Sequence, residues 1–256
     1  MTVAAGSLAS TGTVRSDPAV TFAFSGSGDG NMSLIVGAGD DAARPRLATA
    51  LGVRPEALVF MRQVHGGEVA VVSAADRGRG VDVHADAVPA VDALVTFDTD
   101  VPLVVLVADC VPVVLVDPHR AVGVVHAGRG GVVSEVVAAT VAAMAPAAPE
   151  AMTALIGPAI GGCCYEVEAE LAGHVAAGIP AARATTRWGT PSLDLRAAVA
   201  AQLRASGVAG VRHEGGCTRC DGRRWFSHRR APGEGRQAGA VVRAGTVAGR
   251  PGGTRP

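Results

Sequence analysis

The chain has 256 residues, no formal net charge, 48% hydrophobic residues and only 3% aromatics. A chain of this length buries about three-quarters of its unfolded surface, and its neutral balance argues against a nucleic-acid binder driven by a general positive field. All 23 basic residues are Arg, which excludes a Schiff-base lysine and a Walker-type phosphate loop.

With so few aromatics the core must be Val, Ala and Leu, and Val-rich runs favour strands. Residues 1–18 are small and polar and are expected to be disordered. A short strand is expected at 20–24, followed by a Gly/Ser/Asp loop at 25–31 of the kind that lies over a site or turns. Residues 41–51 read as a helix with Gly52 as its C-terminal stop. Two strands, 57–64 and 69–73, are joined at His65-Gly66-Gly67. A loop over 75–91 contains Arg77, Arg79, Asp82 and His84, and a strand starts at 93–96. The continuous apolar runs 103–107 and 111–116 suit strands buried on both faces. Asp109-Cys110 separates them. After the turn at Asp117-Pro118 comes a strand at 121–125, then a Gly-rich turn at 128–131 opening a helix that runs to Met144. A strand at 154–156 leads into a Gly/Pro loop at 157–164. Helices are expected at 167–177 and 195–206, the second capped by Asp194 and ended by Gly207. A last short strand at 225–228 and an edge strand at 238–242 complete the pattern. The tail 244–256 is expected to be disordered, leaving 19–243 as a single domain.

The five cysteines, at 110, 163, 164, 217 and 220, do not form a disulfide framework for a chain this long. No basic and apolar leader opens the sequence, and the run 101–107 is too short to span a bilayer. A cytoplasmic protein without membrane or nucleic-acid partners is expected. The oligomeric state cannot be read from the sequence.

Three segments carry the chemistry: Gln-Val-His-Gly at 63–66, Ala-Asp-Cys-Val-Pro-Val at 108–113 and Val-His-Ala-Gly at 125–128. Each places one metal ligand, His65, Cys110 or His126, at the end of an expected strand. Two imidazoles and a thiolate suit zinc and leave a fourth position open, which is the catalytic arrangement. The same donors also suit an equatorial copper set. A multicopper laccase needs more imidazoles than the seven His provide, and there is no His-x-His pair. Without metal, Cys110 and His126 could serve as nucleophile and base of a hydrolase. The Cys217-Thr-Arg-Cys220 spacing fits a zinc knuckle or a redox pair, but the sequence shows no partner pair of like spacing.

Further motifs follow in order: Asp92-Ala-Leu-Val-Thr96, Ile-Gly-Pro-Ala-Ile-x-x-Cys-Cys-Tyr-Glu-Val over 156–167, Leu193-Asp-Leu195, Cys-Thr-x-Cys-Asp221 and Phe-Ser-His-Arg-Arg230. In this order the set resembles the YfiH family, also called laccase-domain or polyphenol-oxidase-like, whose members are described as purine nucleoside phosphorylases. The resemblance covers residues 20–243. It implies an α/β (α+β) fold, a mixed-sheet α/β sandwich like that of a deamidase toxin. It implies zinc, with copper (Cu2+) as the alternative, on His65, Cys110 and His126. It also implies phosphorolysis of adenosine, inosine, guanosine and methylthioadenosine, with adenosine deamination as a second activity. Some members are described instead as peptidoglycan-editing factors.

The partners expected on this reading are a nucleoside and phosphate. Asp109 and Glu166 are the candidates for proton transfer. Arg62, Gln63, Arg129 and Tyr165 are the candidates for substrate binding, with Arg229 and Arg230 as further sources of positive charge. Many relatives read His-Ala-Gly-Trp-Arg-Gly, whereas this chain reads His126-Ala-Gly-Arg-Gly-Gly131. The Trp is absent and Arg129 stands one place earlier.

Overall fold

A computed structural model describes residues 8–245 of the chain. Twelve strands form: β1 Ser10–Val14, β2 Asp17–Phe24, β3 Val69–Val72, β4 Ala93–Thr96, β5 Leu103–Val107, β6 Val111–Asp117, β7 Ala121–Ala127, β8 Thr153–Ile156, β9 Arg183–Thr185, β10 Pro191–Leu193, β11 Gly210–His213 and β12 Gln237–Arg243. The α-helices are α1 Ala43–Leu51, α2 Arg129–Val133, α3 Val136–Met144, α4 Ala169–Gly178 and α5 Leu195–Ala205.

The strands build a six-stranded mixed sheet, in order β11-β8-β6-β7-β4-β3, and a four-stranded sheet, in order β1-β2-β12-β5. The two β3–β4 and β11–β8 pairings are parallel; the others in the large sheet are antiparallel. A small hairpin pairs β9 with β10. The fold is a single-domain, mixed-sheet α/β sandwich.

Alternation within the Val runs explains the layers. In β6, Val111, Val113 and Leu115 pack into one core with Val136, Val137 and Val141 of α3 and Val199 and Leu203 of α5. Val114 and Val116 point the other way and meet Phe22, Phe24, Leu103, Val105 and Val241 of the smaller sheet. On the far side of that sheet, Ala23, Val104, Ala240 and Val242 pack on Leu47 and Leu51 of α1. Both sheets are thus covered on both faces, which is why β5 and β6 read as unbroken apolar runs.

Several expected elements differ in the structure. Residues 10–18 are not disordered; β1 pairs antiparallel with β2, giving that strand a partner on its open edge. Residues 1–7 and 246–256, expected to be disordered, lie outside the described residues. Residues 57–64 are extended but form no continuous strand, because their N–H groups bond loop carbonyls of Pro102, Arg79 and Val88. The helix expected to run from the Gly-rich turn to Met144 breaks between α2 and α3, where Glu135 takes φ 56°. Residues 225–228 form no strand: 225–227 are irregular and a turn begins at 228, with Trp225 buried. The strand near 238–242 is no edge: β12 lies between β2 and β5, paired on both sides. Asp194 does cap α5, accepting the Ala197 N–H at 2.9 Å.

Candidate metal centre and its cavity

The chain crosses from the smaller sheet to the larger one between β5 and β6. The crossing is Ala108-Asp109-Cys110, and Asp109 takes the left-handed φ of 87° that the sharp change of direction needs. Cys110 therefore sits at the mouth of β6. Beside it, β7 is paired so that Val111 faces Ala127 and Pro112 faces His126. His65 comes from the turn before β3, where it also takes a positive φ of 62°.

The metal-ligating atoms of His65, Cys110 and His126 all lie within 4.8 Å of one another. The two imidazoles meet edge to face, with ring centroids 4.6 Å apart. This is the donor set of an open zinc site, and its members are close enough to share one ion at bond lengths of about 2.0–2.3 Å. The electrostatics agree with that use. Burial alone would push the Cys110 thiol up, but His126 and His65 together pull it down to about 6. Burial would likewise lower His126, yet Cys110 and Asp92 raise it to about 9.

Asp92 is the residue that the sequence reasoning missed as a participant. It lies at the start of β4, next to the Ala93–Val125 pair, and so faces His126 across the ladder. Its Oδ1 is 2.7 Å from His126 Nδ1, and the carboxylate is fully buried. An ionised carboxylate only accepts, so Nδ1 carries the proton and Nε2 is left for a metal. The same carboxylate accepts the N–H groups of Val64, His65 and Gly66 at 2.7–3.2 Å. One side chain therefore fixes both imidazole-bearing segments. Burial by itself would raise the Asp92 pKa, but His126 and the N–H groups of Gly66 and His65 outweigh it and hold it below its ordinary value.

Gly128 faces the ligand cluster. A Cβ there would lie 2.8 Å from His65 Cδ2 and 3.1 Å from Cys110 Sγ. Gly128→Ala is expected to displace these side chains and lower the metal retained by the purified protein, measured by mass spectrometry of metals, without unfolding it.

The cluster opens into a cavity of about 550 Å3. Of the expected substrate residues, Gln63, Arg129 and Tyr165 line it, and Arg62 does not. Gln63 is occupied in holding the wall, because its amide both donates to the Leu106 carbonyl at 2.7 Å and accepts the Leu106 N–H at 2.9 Å. Arg62 gives its backbone N–H to the Val88 carbonyl and is not part of the cavity lining. Tyr165 lies under the Arg229 guanidinium, 5.1 Å from ring centroid to Cζ. Burial raises its pKa despite nearby Arg129, so the phenol stays protonated near neutrality.

Of the two expected proton carriers, Asp109 lines the cavity and Glu166 does not. Asp109 borders the cavity, but its carboxylate accepts the Thr218 hydroxyl and, at 2.6 Å, the Arg229 N–H. Those bonds anchor the 218–229 segment. Glu166 is exposed and accepts from Trp188 Nε1 at 2.9 Å, outside the cavity lining. The helix after Gly128, α2, spans only five residues.

The wall is completed by Arg229, expected from the sequence, by Arg236 and His228, which were not, and by the apolar Leu34, Ile35 and Met61. Arg230 is spent on the Thr218 and Trp225 carbonyls. Arg44 also borders the cavity, but it is buried against Phe60 and bonds the carbonyls of Met32, Gly80 and Val81. Nothing in the local sequence marks Arg236, because only the pairing of β12 beside β5 brings it to the site.

A family described as Multi-copper polyphenol oxidoreductase laccase matches residues 31–244. A purine nucleoside phosphorylase of Streptomyces coelicolor is 47% identical over 211 residues, 79% of this chain and 84% of that protein. Another from Streptomyces griseus is 44% identical over 220 residues, 83% of this chain and 87% of that protein. The crystal structure of YlmD from Geobacillus stearothermophilus superposes with a TM-score of 0.80 at 32% identity, covering 91% of this chain and 94% of YlmD. That of YfiH from Bacillus licheniformis gives 0.77 at 28% identity, covering 87% and 92%. These matches along most of its length show that the chain belongs to the YfiH-like, laccase-domain family.

Proposed function

We propose that the protein is a zinc-dependent purine nucleoside phosphorylase acting on adenosine, inosine, guanosine and methylthioadenosine, with adenosine deamination as a second activity. The observation that carries the reading is the convergence of His65, Cys110 and His126 at a cavity whose wall holds Arg129, Arg229 and Arg236. A cavity of about 550 Å3 suits a nucleoside-sized ligand. The relatives named above as purine nucleoside phosphorylases support it.

In phosphorolysis a phosphate oxygen bonds to the anomeric carbon as the glycosidic bond breaks. The electron pair leaves with the purine, which takes up a proton. Arg129, Arg229 and Arg236 hold and neutralise the phosphate, since the chain has no Lys for that task. Tyr165, protonated and facing these cations, and His228 are further cavity groups that can donate hydrogen bonds to substrate. Leu34, Ile35 and Met61 offer apolar surface to the base. Zinc, when bound by His65, Cys110 and His126, would supply Lewis-acid chemistry.

A laccase reading is weaker. Among the described residues, two clusters could hold a metal, and the second consists only of cysteines. The Cys110–His126 pair, with its lowered thiol and raised imidazole, favours a cysteine hydrolase as the second reading. Chelation separates the two, because the proposed activity is lost with the metal and a hydrolase is not. Among the described residues no helix is long and apolar enough to cross a membrane, and we place the enzyme in the cytoplasm.

The test is incubation with adenosine, with and without phosphate. Adenine should form only with phosphate, and inosine in both cases. Arg129→Ala is expected to lower the ratio of adenine to inosine at fixed phosphate by roughly tenfold, the loss of one charge-assisted hydrogen bond of about 1.5 kcal/mol. An unchanged ratio would move the phosphate to Arg229 and Arg236; adenine formed without phosphate would end the phosphorylase reading.

A further inference from the structure

The Cys217–Cys220 pair has the partner that its sequence lacked. The loop before α4 brings Cys163 and Cys164 against it, and the four sulfur atoms all lie within 4.8 Å of one another. Cys163 Sγ stands 3.8 Å from Cys164 Sγ and 3.7 Å from Cys220 Sγ, and Cys164 Sγ stands 3.5 Å from Cys220 Sγ. Four sulfurs about 2.3 Å from a central zinc stand about 3.8 Å apart along each tetrahedral edge. The observed spacing is close to that figure, and well beyond the roughly 2.05 Å of a disulfide.

We propose that Cys163, Cys164, Cys217 and Cys220 bind a second, structural zinc ion, separate from the cavity site.

Two further features fit a bound tetrathiolate. The N–H groups of Gly161, Arg219 and Cys220 are directed at Cys217 Sγ, the first at 3.2 Å. Such N–H···S bonds disperse the charge of a thiolate inside a knuckle turn. Four thiolates around one Zn2+ carry a net charge of −2, and cations stand beside them. Arg187 Nη1 lies 3.8 Å from Cys220 Sγ, and Arg219 Nη1 donates to the Cys164 carbonyl at 3.3 Å. Both guanidiniums pack over Trp188, at 5.5 and 4.9 Å from its ring.

The position gives the ion a purpose. Cys164 precedes Tyr165, and Thr218, inside the Cys217–Cys220 turn, bonds Asp109. Ala159 and Cys217 are also bridged. A zinc here ties the 157–165 loop to the 217–229 segment, two walls of the cavity that share no continuous strand pairing. No cavity ligand belongs to it, and all four donors are sulfur, the closed set of a structural site.

The test is zinc content of the full chain, purified under reducing conditions, as wild type, Cys220→Ser and Cys110→Ala. Cys220 is exposed, so its replacement by Ser perturbs little packing. Cys220→Ser should hold one zinc fewer per chain than wild type. Cys110→Ala should retain a zinc whose X-ray absorption shows an all-sulfur shell at about 2.3 Å. This second measurement decides the matter if Cys220→Ser does not fold. Equal zinc in wild type and Cys220→Ser, a mixed nitrogen–sulfur shell in Cys110→Ala, or a disulfide among the four in the purified wild type would each overturn the proposal. Should Cys220→Ser lose an ion while Cys110→Ala loses none, the cavity metal fails and this site stands.

Discussion

Cys110→Ala is expected to reduce adenine release from adenosine to background and to remove one zinc, while the protein stays folded. The thiolate is the only anionic donor among His65, Cys110 and His126. Two imidazoles alone do not make the three-ligand set of a catalytic zinc. The fold should tolerate the change, because Cys110 lies at the crossing between sheets and only packs against the edge of the inter-sheet core. Its side chain loses one sulfur, a small volume beside an existing cavity. Cys217→Ala is the comparison: it lies in the other thiol cluster, so it should keep the cavity metal and lose less turnover than Cys110→Ala. Activity, metal content and the thermal unfolding midpoint, measured on both variants, check the expectation. Equal loss of turnover in both, with the cavity metal retained in Cys110→Ala, would move the catalytic centre to the four-cysteine cluster.

The layered core was legible because it is written in local pattern. Unbroken Val runs marked β5 and β6 as covered on both faces, and Gly52, Asp194 and Gly207 marked helix ends. What was not legible depends on pairing between distant segments. β12 reads as an edge strand because Ala and Gly alternate weakly, yet two sheet neighbours enclose it. Residues 57–64 read as a strand because the run is apolar, but the chain around them offers loops rather than a ladder. The ligand trio was visible because each member ends a strand-like run. The position of Glu166 was not legible either: Tyr165 beside it lines the cavity, whereas Glu166 is exposed and accepts from Trp188. The partnership of Cys163-Cys164 with Cys217 and Cys220 spans 56 residues, and no spacing rule connects them.

Asp92→Asn should lower turnover by about 10–100-fold and weaken zinc retention by a similar factor, the usual cost of losing an outer partner of a metal-bound His. The substitution keeps size and shape, so the effect isolates charge and acceptor capacity. Asp92 accepts from His126 Nδ1 and from three successive backbone N–H groups, those of Val64, His65 and Gly66. An Asn has one acceptor oxygen and one NH2 donor. Either orientation of the amide therefore sets a donor against a donor, in a place with no exposure to water. Each buried donor left without a partner costs about 1–3 kcal/mol. If the NH2 faces the imidazole, His126 must shift its proton to Nε2, the nitrogen needed for metal. If it takes the other position, the N–H of Gly66 loses its acceptor, directly beside His65 with its φ of 62°. Both routes damage the same trio from opposite sides, so turnover and zinc affinity should fall together, with a drop in thermal midpoint. Retained zinc with lost turnover would instead show that Asp92 acts on substrate or on proton movement, and not by positioning the ligands.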